Sequence, residues 1–188
     1  MLDVIRADGD RYITAFGPPG RKPRWALWLV VLFLTPGFKL VLSIRVQRAL
    51  GRVPLIGGVL RRVAWYVTTR SFGCDIDPHA TFGPGLHIPH PTGIVIGGRT
   101  QVGARAKILQ NVTIGRSGNS DVDPVIGNDV AINAGAVVVG AIRLGDGVTI
   151  GANSVVLSDV PAGAVAVGVP ARVLQRATPG GSTTEGMA

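Results

Sequence analysis

The side chains able to do acid–base chemistry are few. Three histidines occur, His79, His87 and His90, with one cysteine, Cys74. An imidazole titrates near neutral pH and is the natural acceptor for a hydroxyl proton. A carboxylate behind it fixes its orientation and stabilises the imidazolium. Asp75 lies fifteen residues before His90 and can supply that carboxylate if the fold brings the two together. His87, three residues before His90, is placed to line the same cleft, whereas His79 reads as a turn residue. Zinc needs three or four converging ligands. The histidines are only eight and three residues apart and lack further partners, so no metal site is expected. Cys74 cannot form an internal disulfide and reads as a small buried residue.

The elements that must position these residues repeat with period six. From Ile126 to Pro161 an aliphatic residue recurs at Ile126, Ile132, Val138, Leu144, Ile150 and Val156. A second buried-type series follows four residues behind, at Val130, Ala136, Ile142, Val148 and Ser154. A short, regular period marks a solenoid, in which each unit buries its face only against its neighbours. Upstream units begin at Ile76, Phe82, Ile88, Ile96, Val102, Ile108 and Ile114. The spacing predicts a parallel β-helix with one short strand and one turn per hexapeptide, three hexapeptides to a coil. Asp75 and His90 then lie about one coil apart. The register breaks twice. Two extra residues fall within His90-Pro91-Thr92-Gly93, and an extruded loop lies between Ile114 and Ile126. Insertions in repeat proteins collect on the binding face.

Three blocks carry a resemblance to a known family: DIDPHATFGPGLHIPHPTGIVIG (75–97), ILQNVTIG (108–115) and IGANSVVLSDVPAGAVAVGVPARVL (150–174). The chain resembles the hexapeptide-repeat acyltransferases, and within them the serine acetyltransferases and their polysaccharide-cluster relatives. The resemblance implies a mainly β fold, a left-handed parallel β-helix, assembled as a homotrimer that sometimes pairs into hexamers. It implies acetyl-CoA as co-substrate and O-acetyl transfer as the reaction. His90 matches the family's general base and Asp75 the aspartate that orients it. Ala134 and Ala152 match alanines that line the coenzyme, and Arg172 matches a basic position near its phosphates. Arg116 replaces a family glycine at the mouth of the loop, where it either reaches the coenzyme or acceptor or is solvated.

The family pattern fails at the acceptor. Serine acetyltransferases have an acidic residue before the catalytic histidine, where this chain has Pro89. Their loop carries Arg-His-Pro, where this chain has Val122-Asp123-Pro124. An exposed Asp123 would repel a substrate carboxylate by about 1 kcal/mol at contact in water. With His87, Pro89 and Asp123 around the acceptor, a sugar or another non-amino-acid hydroxyl is expected, and serine is the alternative.

The first seventy residues differ from the rest. They hold twelve Lys and Arg against three Asp, so they carry +9 while the remainder stands at −1. No nucleic-acid motif accompanies this charge, and no nucleic-acid partner is expected. Trp25–Leu34 is an unbroken apolar run of ten residues, half of the roughly 20 needed to span a bilayer. Phe38–Leu50 and Val59–Val67 read as helices, with Leu40, Ile44 and Ala49 on one face and Arg45, Arg48 and Arg52 on another. Two arrangements fit: a helical cap over the open end of the β-helix, or a basic amphipathic surface on an anionic membrane. The expected organisation is a helical region over residues 1–70, an acyltransferase β-helix over 71–175 and a disordered tail over 176–188. The expected location is the cytoplasm, with the inner membrane face open as an alternative.

Overall fold

A computed structural model describes residues 1–15, 23–118 and 121–174. The proposed tail 176–188 lies outside the described residues. Four helices come first: α1 (Leu2–Ala15), α2 (Arg24–Leu34), α3 (Pro36–Leu50) and α4 (Gly57–Phe72). Pro36 opens α3 at a position where its missing N–H costs nothing. Gly73 closes α4 in the left-handed region, at φ +62°, its N–H donating to Thr69 O at 2.9 Å. The apolar run is thus a helix, and α2 and α3 meet at a bend of 79°. Among the described residues no single helix is long and apolar enough to cross a membrane.

Three sheets of very short strands form the walls of the solenoid. One holds β1 (Asp75–Ile76), β3 (Val95–Ile96), β6 (Thr113–Gly115), β9 (Val137–Val139) and β12 (Val155–Val156). The second holds β2 (Thr81–Phe82), β4 (Gln101–Val102), β7 (Val125–Ile126) and β10 (Arg143–Leu144). The third holds β5 (Lys107–Ile108), β8 (Ala131–Ile132), β11 (Thr149–Ile150), β13 (Val165–Gly168) and β14 (Ala171–Leu174). All pairings are parallel except the terminal β13–β14 hairpin. Every aliphatic or aromatic position of the six-residue series, from Ile76 to Val156, is buried. The register also records the insertions: Val95 faces Thr113 eighteen residues on, Asp75 faces Val95 twenty on, and Thr113 faces Val137 twenty-four on.

A solenoid has an open edge at its first coil, whose backbone groups have no neighbouring coil to bond. Here side chains of α1 and α3 supply the partners. The Arg45 guanidinium donates to Phe82 O at 2.8 Å and Gly83 O at 2.7 Å. Asp8 Oδ1 accepts from Gly85 N–H at 2.8 Å and Leu86 N–H at 2.9 Å. Tyr12 Oη both donates to Ile88 O and accepts from Ile88 N–H, each at 2.9 Å. Asp8 and Arg45 complete a two-pronged ion pair, 2.9 and 3.1 Å, with both side chains buried. Gly37 admits the close approach of α3, since a Cβ there would lie 1.9 Å from Ile88 O. The helices therefore cap the β-helix. Arg45, expected on an exposed basic face, is instead buried, where its guanidinium meets two edge carbonyls and the Asp8 carboxylate. Helix α1 was not anticipated from the sequence.

Candidate active site

His90 begins the two-residue bulge that joins the wall at His87–Ile88 to β3. The bulge closes at Gly93, whose φ is +66°, and a Cβ there would lie 2.2 Å from Asn111 Oδ1. Thr92 N–H donates to His90 O at 3.0 Å, and Gly93 N–H donates to Gly73 O at 3.0 Å. That second bond ties the bulge to the segment leading into Asp75. Asp75 and His90 thus sit on adjoining coils at one corner of the prism. Among the described residues no hydrogen bond or ion pair joins their side chains. His90 is exposed.

Above the bulge the same corner repeats. Asn111 N–H donates to Thr92 O at 2.9 Å, Gly135 N–H to Gln110 O at 3.0 Å, and Asn153 N–H to Ala134 O at 2.9 Å. The column therefore runs His90–Thr92, Gln110, Ala134, Ala152. Ala134 is half-buried and Ala152 exposed, two small side chains stacked above Gln110 on the column that rises from His90. Arg172, exposed on β14 opposite Val167, stands at the far end. The fold thus brings Ala134, Ala152 and Arg172 along one direction from His90. Gln110 was not singled out from the sequence. Its Oε1 is buried without a partner, and only its place one coil above the bulge marks it.

Around the base the environment is basic and partly apolar. Tyr12 packs edge-on against the His87 ring, centroids 4.6 Å apart at 85°. Burial, then the charges of Arg11, Lys107 and His90, push the His87 imidazole down to about 4, so it is neutral. His79 plays the expected turn role: Asp77 Oδ1 lies 2.9 Å from its Nδ1 and Arg61 2.8 Å from its Nε2. Among the described residues no three metal-ligating side chains converge. Cys74 is buried, and burial raises its thiol pKa.

One expected contact takes a different form. Asp123 is only 6% exposed, and its Oδ2 accepts from Arg99 N–H at 2.8 Å. It belongs to a corner pattern that recurs along the solenoid. Ala104 N–H donates to Asn128 Oδ1, Asn128 N–H to Asp146 Oδ1 and Arg143 N–H to Asp159 Oδ1, at 2.7 to 2.8 Å. One oxygen of the Asp123 carboxylate thus caps a coil corner where the loop re-enters, while its Oδ1 is buried without a hydrogen-bond partner among the described residues, so Asp123 is buried rather than exposed to an incoming carboxylate. Arg116 is exposed and loosely paired with Asp121 at 3.3 Å.

Residues 123–158 match the bacterial transferase hexapeptide family (six repeats). The chain is 40% identical over 162 residues to a serine acetyltransferase of Helicobacter pylori, covering 84% of this chain and 90% of that one. The chain belongs to the serine acetyltransferase family of hexapeptide-repeat acyltransferases. It superimposes on a crystal structure of Neisseria gonorrhoeae serine acetyltransferase with a TM-score of 0.78 at 34% identity, covering 93% of this chain and 67% of that one. A serine acetyltransferase in complex with CoA matches equally, at 34% identity over 92% of this chain and 69% of that one, with a TM-score of 0.78. The chain is thus an acyltransferase with the β-solenoid of its family.

Proposed function

We propose that the chain transfers the acetyl group of acetyl-CoA to the hydroxyl of L-serine. The observation that supports this best is the 40% identity to a serine acetyltransferase over a span that includes the whole His90 corner. His90 takes the hydroxyl proton as the oxygen attacks the thioester carbonyl. Collapse of the tetrahedral intermediate breaks the carbon–sulfur bond, and the imidazolium returns the proton to the departing thiolate. Asp75, on the adjoining coil, orients the imidazole. Ala134 and Ala152 leave room for the pantetheine arm, and Arg172 and Arg116 are the cations placed for its phosphates. His87 and Pro89 border the acceptor.

The active unit in this reading is a homotrimer in the cytoplasm, where acetyl-CoA is made and used. The outward face of the first sheet presents Val95, Thr113, Val137 and Val155 in register, a stripe of β-branched, mostly apolar side chains suited to subunit contact. A second reading, acetylation of a sugar or another neutral alcohol, keeps one specific observation in its favour. Pro89 stands where the resemblance expects an acid to hold the serine ammonium. An acceptor screen that follows thiol release from acetyl-CoA separates the two. L-Serine is expected to exceed every sugar in kcat/KM; efficient turnover of a sugar with none of serine would select the second reading.

A further inference from the structure

We propose that Arg11 of α1 and Lys107 of β5, with His87 between them, form an anion subsite that holds an acidic group of the acceptor beside His90. The proposal rests on acetyl transfer at His90 but not on serine as such, since a carboxylate and a phosphate share the same chemistry.

Geometry carries the argument. His87 and Lys107 are directly paired on adjoining coils of the third wall, so their side chains rise from the same outer face, one coil apart. Arg11 precedes Tyr12, whose ring rests against His87, and reaches across to donate to Arg105 O at 3.4 Å. Two cations thus flank one imidazole. The acidic groups nearby are already engaged: Asp129 is paired with Arg105, and Asp10 with Arg24 at 2.7 Å. Neither Arg11 nor Lys107 has an ion-pair partner among the described residues. Asp129 also feels the charge of Arg11, but its carboxylate is bound to Arg105, so two cations without an ion pair remain at one cleft, and these attract an anion.

The spacing to His90 is rigid. Only Ile88 and Pro89 separate His87 from the base. Tyr12 clamps Ile88 through both backbone groups, and Pro89 has a fixed φ. An acidic group seated between Arg11 and Lys107 is therefore held at a fixed offset from the imidazole that activates the hydroxyl. The neutral His87 ring offers an N–H donor without adding a third charge. These residues supply the cationic contacts that the loop lacks, since Val122-Asp123 stands where the resemblance places Arg-His.

The test compares acceptors that differ only in the acid: L-serine against L-serinamide, and glycerol 3-phosphate against glycerol. Thiol release is followed in the wild type, in Lys107→Met/Arg11→Gln and in Lys107→Arg. For at least one pair the wild type is expected to prefer the anion by roughly 10- to 100-fold in kcat/KM, as for a charge-assisted hydrogen bond. The double variant should bring that ratio toward one through the acceptor KM, with the KM for acetyl-CoA unmoved, and Lys107→Arg should keep most of it. A wild type that uses glycerol 3-phosphate but not L-serine ends the serine reading and leaves the subsite standing. The inference is overturned if neither anionic acceptor is preferred over its neutral partner. It is equally overturned if the folded double variant, checked by its melting curve, keeps the wild-type ratio.

Discussion

At the scale of single residues, the corner holding His90 concentrates the chemistry. His90→Ala is expected to lower kcat by about 100-fold or more, as for loss of a general base, while the melting temperature stays near that of the wild type. Asp75→Asn should cost less, because the imidazole remains but loses its orienting carboxylate. Steady-state thiol release with both variants checks this; a His90→Ala protein with near-full turnover at saturating acceptor ends the assignment. His87 makes a pH prediction. Its folded value, about 4, lies below the ordinary 6.5, so the unfolded chain binds the proton more readily. Its contribution is complete above about pH 6.5 and is lost as the pH falls toward 4. Melting curves of wild type and His87→Gln should therefore diverge across that window, the wild type losing stability more steeply on acidification.

At the scale of elements, the open edge of the first coil is the vulnerable place. Asp8, Tyr12 and Arg45 together make eight hydrogen bonds to backbone groups or to each other that water cannot reach easily. Asp8→Asn leaves the buried Arg45 charge without its counter-ion. Breaking such a pair costs about 3–5 kcal/mol, and for a chain of this size each kcal/mol lowers the melting point by roughly 2–4 °C. Calorimetry should record a fall of that order, and an Asp8→Asn protein that melts with the wild type would refute the edge-sealing role. Core positions behave differently, because each coil leans on two others. Ile132→Ala, at a fully buried site, should cost about 2–5 kcal/mol through a cavity.

At the scale of the whole molecule, charge and apolar surface are segregated. The basic helices sit over the first coil, and the β-branched stripe of the first sheet runs up one wall. A trimer about that stripe would set the His90 corner of one subunit beside the loop corner of the next. Light scattering at micromolar concentration is expected to give three times the monomer mass of 19.5 kDa. Val137→Lys, with its half-buried side chain on that wall, should shift the mass toward monomer and reduce turnover in parallel. A monomeric wild type with full activity would count against any shared site.

The sequence alone determined the solenoid, its buried series, both register breaks and the place of His90 within one of them. Those features are local and periodic: a six-residue repeat states which side chain points inward without reference to anything distant. The helices over Phe38–Leu50 and Val59–Val67 were legible from their spacing, while Trp25–Leu34 was legible as an apolar run and became a helix only in the structure. Helix α1 was not legible, because its three buried residues, Asp8, Gly9 and Tyr12, make no apolar stripe. Asp8 and Arg45 read as solvated charges until the fold placed them on an edge of unpaired amides and carbonyls. Asp123 read as an acceptor contact, yet it caps a coil corner whose amide partner, Arg99, is twenty-four residues away. Lys107 and Arg11 are ninety-six residues apart, and only the stacking of one coil on another, with α1 laid across the end, puts both beside His87. Burial of a charge and convergence on a site depend on contacts between distant segments, and those exist only once the chain has closed on itself.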